Sequence, residues 1–218
     1  MKSVYFLSDA HLGCRSIPHD RTRERRLVRF LDGIKDKASA VYLLGDIFDF
    51  WYEYKTVVPR GYTRFLGKLS ELADRGVEVH FFTGNHDIWC GDYLVKECGV
   101  TLHTEPMTVE MGDKVFMLAH GDGLGDPDRK FRFLRAVFRN RLCQRMFSCI
   151  HPRWAVDFGL SWAAHSRQKH GVEGGDPPYL GEDKEYLVRF AKEYLKAHSE
   201  INYFIFGHRH IELDLMLT

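Results

Sequence analysis

No CxxC pair occurs among the five cysteines, Cys14, Cys90, Cys98, Cys143 and Cys149. An odd, scattered set argues against a disulfide framework or a zinc knuckle and fits a reducing compartment. An excess of charge of either sign is also lacking. Lys+Arg 31 stand against Asp+Glu 30, so the overall balance points to neither a nucleic-acid nor a membrane partner. No apolar stretch approaches the roughly 20 residues needed to span a bilayer. The opening MKSVYFLSDAHLG meets charge too early for the apolar region of a signal peptide. Internal repeats and low-complexity linkers are missing as well. These absences leave a soluble or peripherally attached protein, and 218 residues suffice for one domain that buries roughly 70% of its unfolded surface.

What is present is an ordered alternation of strands and helices. Val4 to Leu7 reads as a short buried strand, and Asp20 to Lys37 carries Leu27, Phe30, Leu31 and Ile34 at helical spacing. AVYLLGD is a second strand. Tyr62 to Asp74 sets Phe65, Leu66, Leu69 and Leu72 on one helical face, ended by Gly76, and VEVHFFT follows as a third strand. Parallel strands need such crossovers, so the first half predicts an α/β layered fold with a mainly parallel sheet. Next, Met111-Gly112-Asp113-Lys114 lies between two alternating apolar runs and predicts a hairpin. Asp128 to Ile150 and Trp154 to His170 predict helices, GVEGGDPPYLGED a loop, and Glu182 to His198 an amphipathic helix. INYFIF predicts a strand, and ELDLML a last one in which the chain stops at Thr218.

Polar residues recur at one kind of place. Asp9 and His11 follow VYFLS, Asp46 and Asp49 follow VYLLG, and Asn85 to Asp87 follow VEVHFFTG; His120 and Asp122 follow VFMLA, and His208 and His210 follow YFIFG. A single Asp or His past a strand is commonly a turn former or helix cap. Five strand ends that repeat the pattern, with glycine at hand to let the backbone turn sharply, predict convergence. In an open α/β sheet the carboxyl ends of parallel strands share one edge, and the groups are expected to meet there.

Asp, Asn and several His without matching Cys suit divalent ions held through nitrogen and oxygen, such as manganese, iron or zinc. The residues suffice for two ions, and these donors leave manganese, iron and zinc open. A pair of metals needs a shared anionic bridge, for which Asp46 is the candidate. Two ions, two carboxylates and a bridging hydroxide leave a formal charge of about +1, which favours an anionic substrate, phosphate above all.

DAH, GDIFD, GNHD, AHGD and GHRH, in this order from Asp9 to His210, resemble the motifs of the calcineurin-like metallophosphoesterases. The resemblance implies a layered α/β sandwich, with mixed sheets flanked by helices and an inserted helical cap. Residues 1–218 would form one domain with the cap at about 126–172. It further implies one metal on Asp9, His11, Asp46 and His210 and a second on Asp46, Asn85, His120 and His208. His86 would act beside the phosphate as an acid or charge stabiliser, with Asp49 and Asp87 orienting neighbours. A bridging hydroxide would attack phosphorus in line, with no covalent enzyme intermediate. The bland alternative for His86 is a ring that only hydrogen-bonds a carboxylate.

SDAHLG, GDIFDFWYEY, GNHDIW and HGDGLGDPD are similar more narrowly to the UDP-2,3-diacylglucosamine hydrolases of lipid A synthesis. Those enzymes split a pyrophosphate into UMP and a diacylated sugar phosphate. The likeness includes Phe48, Phe50, Trp51 and Tyr52, and it implies substrate contacts from Asn85, His86, Asp128, Ser166 and Arg167. Members of that branch carry Arg at the place of His86, so GNHD follows the broader superfamily. From Arg129 to Val156 basic and aromatic residues alternate with no acidic residue among them. This basic amphipathic segment suits a pyrophosphate or anionic headgroups, and its apolar side could cover acyl chains. Alternatively, its apolar face packs on the body while the arginines meet water. The expected partners are thus a UDP-diacylated sugar and a peripheral membrane surface, with no nucleic acid and no obligate protein partner. The expected location is cytoplasmic, at the inner face of a bacterial inner membrane. Competing readings are another phosphoesterase, acting on nucleotides, phosphodiesters or phosphoproteins, and a non-catalytic scaffold.

Overall fold

Alternation within ASAVYLL decides the layering of the molecule. Successive side chains of a strand point to opposite faces. In β2 (Ala38–Leu44) Val41 and Leu43 enter one apolar cluster, while Ala40, Tyr42 and Leu44 enter another. Both faces are therefore covered, which is why this strand reads as an uninterrupted apolar run. The computed structural model describes residues 2–15, 20–169 and 178–217, with the side chains of 20 and 166–169 outside that description.

The first sheet contains β1 (Ser3–Leu7), β2, β3 (Glu78–Phe82) and β4 (Thr101–His103) in that order, all parallel. Two crossover helices, α1 (Asp20–Ile34) and α2 (Thr63–Asp74), cover one face through Leu31, Ile34, Phe65, Leu69 and Leu72. The first turn of α2 has no side-chain cap of its own. Glu24 of α1, buried, accepts from the Arg64 and Phe65 amides at 3.1 and 3.3 Å instead, supplying the acceptor that a helix start requires. The short α3 (Tyr93–Cys98) leads into β4 and was not expected from the sequence. Six residues are too few for a 3.6-residue period to show.

The other face of the first sheet packs on a second one. Here β5 (Met107–Met111) and β6 (Lys114–Ala119) form the expected hairpin, and β7 (Tyr203–Phe206) pairs parallel to β6. Val4 and Phe6 of β1 meet Phe116 and Ile205 across the interface, the Phe6 and Phe116 rings lying 6.4 Å apart. This corrects the expectation of a single sheet edge. The hairpin starts a separate sheet, so three of the five polar strand ends come from the first sheet and two from the second. The run 212–217 is not a strand, contrary to expectation, although its residues line a groove with β7 and α7 (Tyr186–Ala197).

The basic aromatic segment forms three helices, α4 (Arg129–Arg139), α5 (Arg141–Ser148) and α6 (Pro152–Lys169). Asn140 breaks the first from the second. Its side chain accepts from the Leu142 and Cys143 amides at 2.9 and 3.2 Å, capping α5, as short polar side chains do at helix starts. The aromatic run after Asp46 splits between two tasks. Phe48 and Trp51 are wholly buried in the body, whereas Tyr52 and Tyr54 donate to the carbonyls of Gln144 and Ile150 at 2.7 and 3.1 Å. Trp89 adds an indole N–H to the Phe138 carbonyl at 2.6 Å. These bonds seat α4, α5 and the link to α6 on the loops that follow β2 and β3.

Candidate metal centre

The loops after β1 and β2 are laced by backbone hydrogen bonds, Asp9 N–H to the Gly45 carbonyl at 3.1 Å and His11 N–H to that of Asp46 at 3.0 Å. Across the sheets, the Asp9 carboxylate accepts from the His208 amide at 3.0 and 3.1 Å. The Gly207 amide donates to the His120 carbonyl at 2.9 Å. Four strand ends are thereby held together, the His86 amide on Asp46 ties in the fifth, and three clusters of potential ligands result: Asp9, His11 and His210; His11, Asp46 and His86; and Asp46, His120 and His208.

Asp46 stands at the centre. Its Oδ1 accepts from the His86 amide at 2.8 Å, which turns Oδ2 toward His120 Nε2 at 3.3 Å, His11 Nε2 at 3.9 Å and His86 Nε2 at 4.0 Å. Asn85 Oδ1 lies 3.3 Å from His120 Nε2. In the first cluster the Nε2 atoms of His11 and His210 are 3.0 Å apart, and His210 Nε2 is 3.2 Å from Asp9 Oδ1. Two imidazole nitrogens at that spacing require a proton or a cation between them. The donors are nitrogen and oxygen throughout, a set that fits divalent manganese, iron or zinc.

Neighbouring acceptors choose the tautomers. His120 Nδ1 donates to the Leu44 carbonyl at 2.8 Å, and His86 Nδ1 to that of Asp49 at 2.9 Å, because a carbonyl can only accept. His11 Nδ1 faces Asp49 Oδ1 at 3.2 Å. Each ring therefore offers Nε2 to the centre, with its other nitrogen fixed as in metal-binding histidines. Asp87 is buried, and its carboxylate accepts from the amides of Gly84, Ile47, Asp46 and Phe48 at 2.7, 2.9, 3.3 and 3.3 Å. Both residues expected to orient neighbours, Asp49 and Asp87, thus touch the cluster or its loops. Gly84 is required by closeness, since a Cβ there would stand 2.6 Å from the Asp46 nitrogen.

Backbone strain concentrates at the same place. Asp9, His11, Asp46, His208 and His210 have φ of 54, 43, 52, 70 and 50°. Among the described residues Tyr62 is the sole other non-glycine with positive φ. Left-handed backbone costs an L-residue roughly 1–2 kcal/mol, and it persists where surrounding contacts over-determine it. One such contact was not legible in the sequence. Arg209, between His208 and His210, donates from Nε and Nη2 to the buried Glu185 carboxylate at 3.0 and 3.1 Å. Nothing marks Glu185, at the start of an ordinary amphipathic helix, as the partner of the GHRH loop.

Charge follows burial and neighbours. Burial opposes ionisation of Asp46, yet the charges of His120 and His86 hold its carboxyl well below the usual range. Burial also opposes charge on His120, but Asp46 beside it raises that ring to about 10. His208 is lowered to about 3 by burial and then by the positive charge of His120. Burial and the Asp46 charge push Asp87 up to about 7.

The expected substrate contacts fare differently. Asn85 and His86 border a chamber described below, while the exposed Asp128 caps α4, accepting from the Lys130 and Phe131 amides at 2.8 and 3.3 Å. Ser166 and Arg167 fall on α6, with side chains outside the described residues. The chamber, of about 190 Å³, lies beside the cluster. Phe50, Ile88 and Trp89 of the body and Phe131, Leu134, Phe138, Phe147, Phe158 and Trp162 of α4 to α6 line it, together with Asp49, Asn85 and His86. Gly159 of α6 rests on the Phe50 ring so closely that a Cβ there would stand 2.6 Å from Phe50 Cζ. The apolar side of the basic segment therefore lines a cavity instead of only sealing the body.

Three outcomes are expected. Because His120 is raised to about 10 and a ligand must be neutral, manganese binding at pH 7 should release about one proton from this ring. Calorimetric titration of metal-free protein in two buffers of different ionisation enthalpy measures it. By the same sign, the His120–Asp46 pair stabilises the metal-free fold fully below 6.5 as long as Asp46 is ionised, and in a denaturant-unfolding series across pH the contribution fades toward 10. His210, at φ 50°, should tolerate glycine better than alanine. His210→Gly should exceed His210→Ala by about 1 kcal/mol in denaturant unfolding of the metal-free proteins, reversing the order found at ordinary positions.

Comparison with known proteins agrees with this geometry. The calcineurin-like phosphoesterase family matches residues 2–212. The chain is similar to a UDP-2,3-diacylglucosamine hydrolase of Porphyromonas gingivalis, 45% identical over 98% of this chain and 85% of that protein. A UDP-2,3-diacylglucosamine hydrolase of Neisseria meningitidis is 33% identical over 81% of this chain and 72% of its own. One of Neisseria gonorrhoeae is 30% identical over the same shares, 81% and 72%. The match covers all five polar strand ends, and the chain belongs to the calcineurin-like phosphoesterases.

Proposed function

We propose that this protein hydrolyses UDP-2,3-diacylglucosamine to UMP and 2,3-diacylglucosamine 1-phosphate. The observation that carries the reading is the apolar chamber whose lining includes Asp49, Asn85 and His86. Acyl chains attached to a phosphate would find apolar walls here, next to the cluster, whereas a phosphoprotein has no use for them. The relatives named above act on a substrate of that kind by their names.

Asp9, His11, Asp46 and His210 would hold one ion and Asp46, Asn85, His120 and His208 a second, with Asp46 shared. Manganese is the proposed metal, and iron or zinc would fit the same donors. When bound, a divalent pair polarises phosphoryl oxygen and acidifies water toward neutral pH. The residues of the chain do the remainder. Asp49 orients His11 through Nδ1 at 3.2 Å, and Asp87 holds the loops that carry Asp46 and Asn85. His86, anchored at Nδ1 by the Asp49 carbonyl, can carry a proton at Nε2 and donate it to a phosphoryl or leaving oxygen.

Helices α4 to α6 are read as the cap of a single domain. No helix among the described residues is long and apolar enough to cross a membrane. Phe133, Leu142, Met146 and Trp154 are nevertheless exposed on the cap at 71, 66, 66 and 69%, among its arginines. This surface supports peripheral attachment to an anionic membrane face, and with it a place on the inner side of a bacterial inner membrane.

The decisive assay is manganese-supported release of UMP from UDP-2,3-diacylglucosamine. Turnover is expected; brisk hydrolysis of simple phosphodiesters with none of the lipid nucleotide would sink the reading. His86→Ala should lower kcat by roughly a hundredfold or more while bound manganese, measured by elemental analysis, stays near the wild-type content. Parallel loss of metal and turnover would reduce His86 to a structural role.

A further inference from the structure

The chamber is apolar, yet one cation reaches into it. Among its described lining residues Arg135 of α4 is the sole Lys or Arg. Its Nε donates to the carboxylate of Asp122, which is buried and stands two positions after His120. A guanidinium has five N–H donors in a planar fork. One is committed to Asp122, and no hydrogen bond joins the terminal nitrogens of Arg135 to another described residue. The Asp122 carboxylate thus fixes the plane of the group while leaving its outer edge free.

Arg135 also occupies a boundary. A second cavity of about 130 Å³ is lined by Thr83, His103, Thr104, Arg139 and the loop from His120 to Leu124. Arg135 is the one residue common to the linings of this polar cavity and the apolar chamber. Arg139 lines the second alone and spends Nη1 on Glu105 at 2.7 Å. The free edge of Arg135 therefore lies where a molecule apolar at one end and polar at the other would change character.

We propose that Arg135 binds the phosphate of the pyrophosphate that is not attacked, the one that leaves attached to the lipid. The inference rests on the functional reading above. In hydrolysis the water oxygen bonds to one phosphorus and the bridging P–O bond breaks. Its electron pair stays on the bridging oxygen, which becomes a terminal oxygen of the lipid-bearing phosphate, and both protons of the water pass to solvent at neutral pH. Negative charge therefore grows on a group at the mouth of the chamber. The ligand clusters serve the attacked phosphate, and a fixed guanidinium fork there stabilises the other by charge-assisted hydrogen bonds.

The test compares substrates and inhibitors with and without a second phosphate, using manganese-loaded wild type, Arg135→Gln and Arg135→Lys. In Arg135→Gln, kcat/KM for UDP-2,3-diacylglucosamine should fall about tenfold to a hundredfold. Hydrolysis of bis(p-nitrophenyl) phosphate, which has one phosphate, should stay within about twofold. Against that diester, inhibition by UDP should weaken about tenfold while inhibition by UMP holds. Arg135→Lys keeps the charge without the fork and should fall between; it decides the matter should the Gln variant not fold. Equal loss on both substrates would make Arg135 a strut for the Asp122 loop, and no loss on either would remove it from the reaction; both overturn the proposal. If the wild type ignores the lipid nucleotide, the functional reading fails by itself, and the UDP-to-UMP inhibition ratio still decides Arg135.

Discussion

One buried carboxylate ties the reacting centre together. Asp87 takes amide hydrogens from the loop after β3 and from the loop after β2, four in all, so the two loops cannot separate without leaving a buried charge unpaired. Its position settles where Asp46 begins its turn, and the Asp46 carboxylate in turn takes the His86 amide. Asn85 lies between the two. A single buried side chain thus sets the relative places of Asp46, Asn85 and His86. Its own ionisation is opposed by burial and by Asp46, and four backbone dipoles favour it, a balance found where groups are packed for chemistry.

The centre as a whole is costly to the fold. Five residues that face it hold left-handed backbone, His11 and His120 are buried, and like charges are crowded around Asp46. The contacts that repay this cost run between the sheets: Asp9 to the His208 amide, Gly207 to His120, and Arg209 to Glu185. Folding the two sheets together and assembling the ligand set are therefore one event. A protein built this way is expected to be stiffer with cations bound, since they neutralise the charge and satisfy the ring nitrogens that the strain brings together.

Much of this was legible because strands announce themselves by apolar runs and the reacting residues sit directly past them. Asp9, His11, Asp46, Asn85, His120, His208 and His210 all stand at such places, and the structure gathers them. The sheet to which each strand belongs was not legible. Periodicity describes one strand and its two faces, and it is silent on whether the hairpin at Gly112 extends the first sheet or opens another. Asp128 shows a second limit, since an acidic residue before a helix serves equally as ligand or cap, and here its oxygen is spent on two amides. Glu185 shows a third. Its partner lies 24 positions away, and no local pattern marks that pairing. The break at Asn140 was hidden by the unbroken basic and aromatic composition on either side of it.

The seat of Gly159 on the Phe50 ring joins two parts of the molecule that could otherwise vary separately. Phe50 lies four residues beyond Asp46, whereas Phe158 and Trp162 ride on α6 with the glycine. The floor of the chamber thus belongs to the loop after β2 and its roof to α6. Over evolutionary time the roof can be reshaped by exchanging side chains of α4 to α6, with the Asp and His cluster untouched. Depth at the floor is pinned, because a larger residue at 159 would press on the segment that carries the central carboxylate. Divergence in the shape of the chamber should therefore be recorded in α4 to α6, with the pairing of glycine and aromatic ring passed on unchanged.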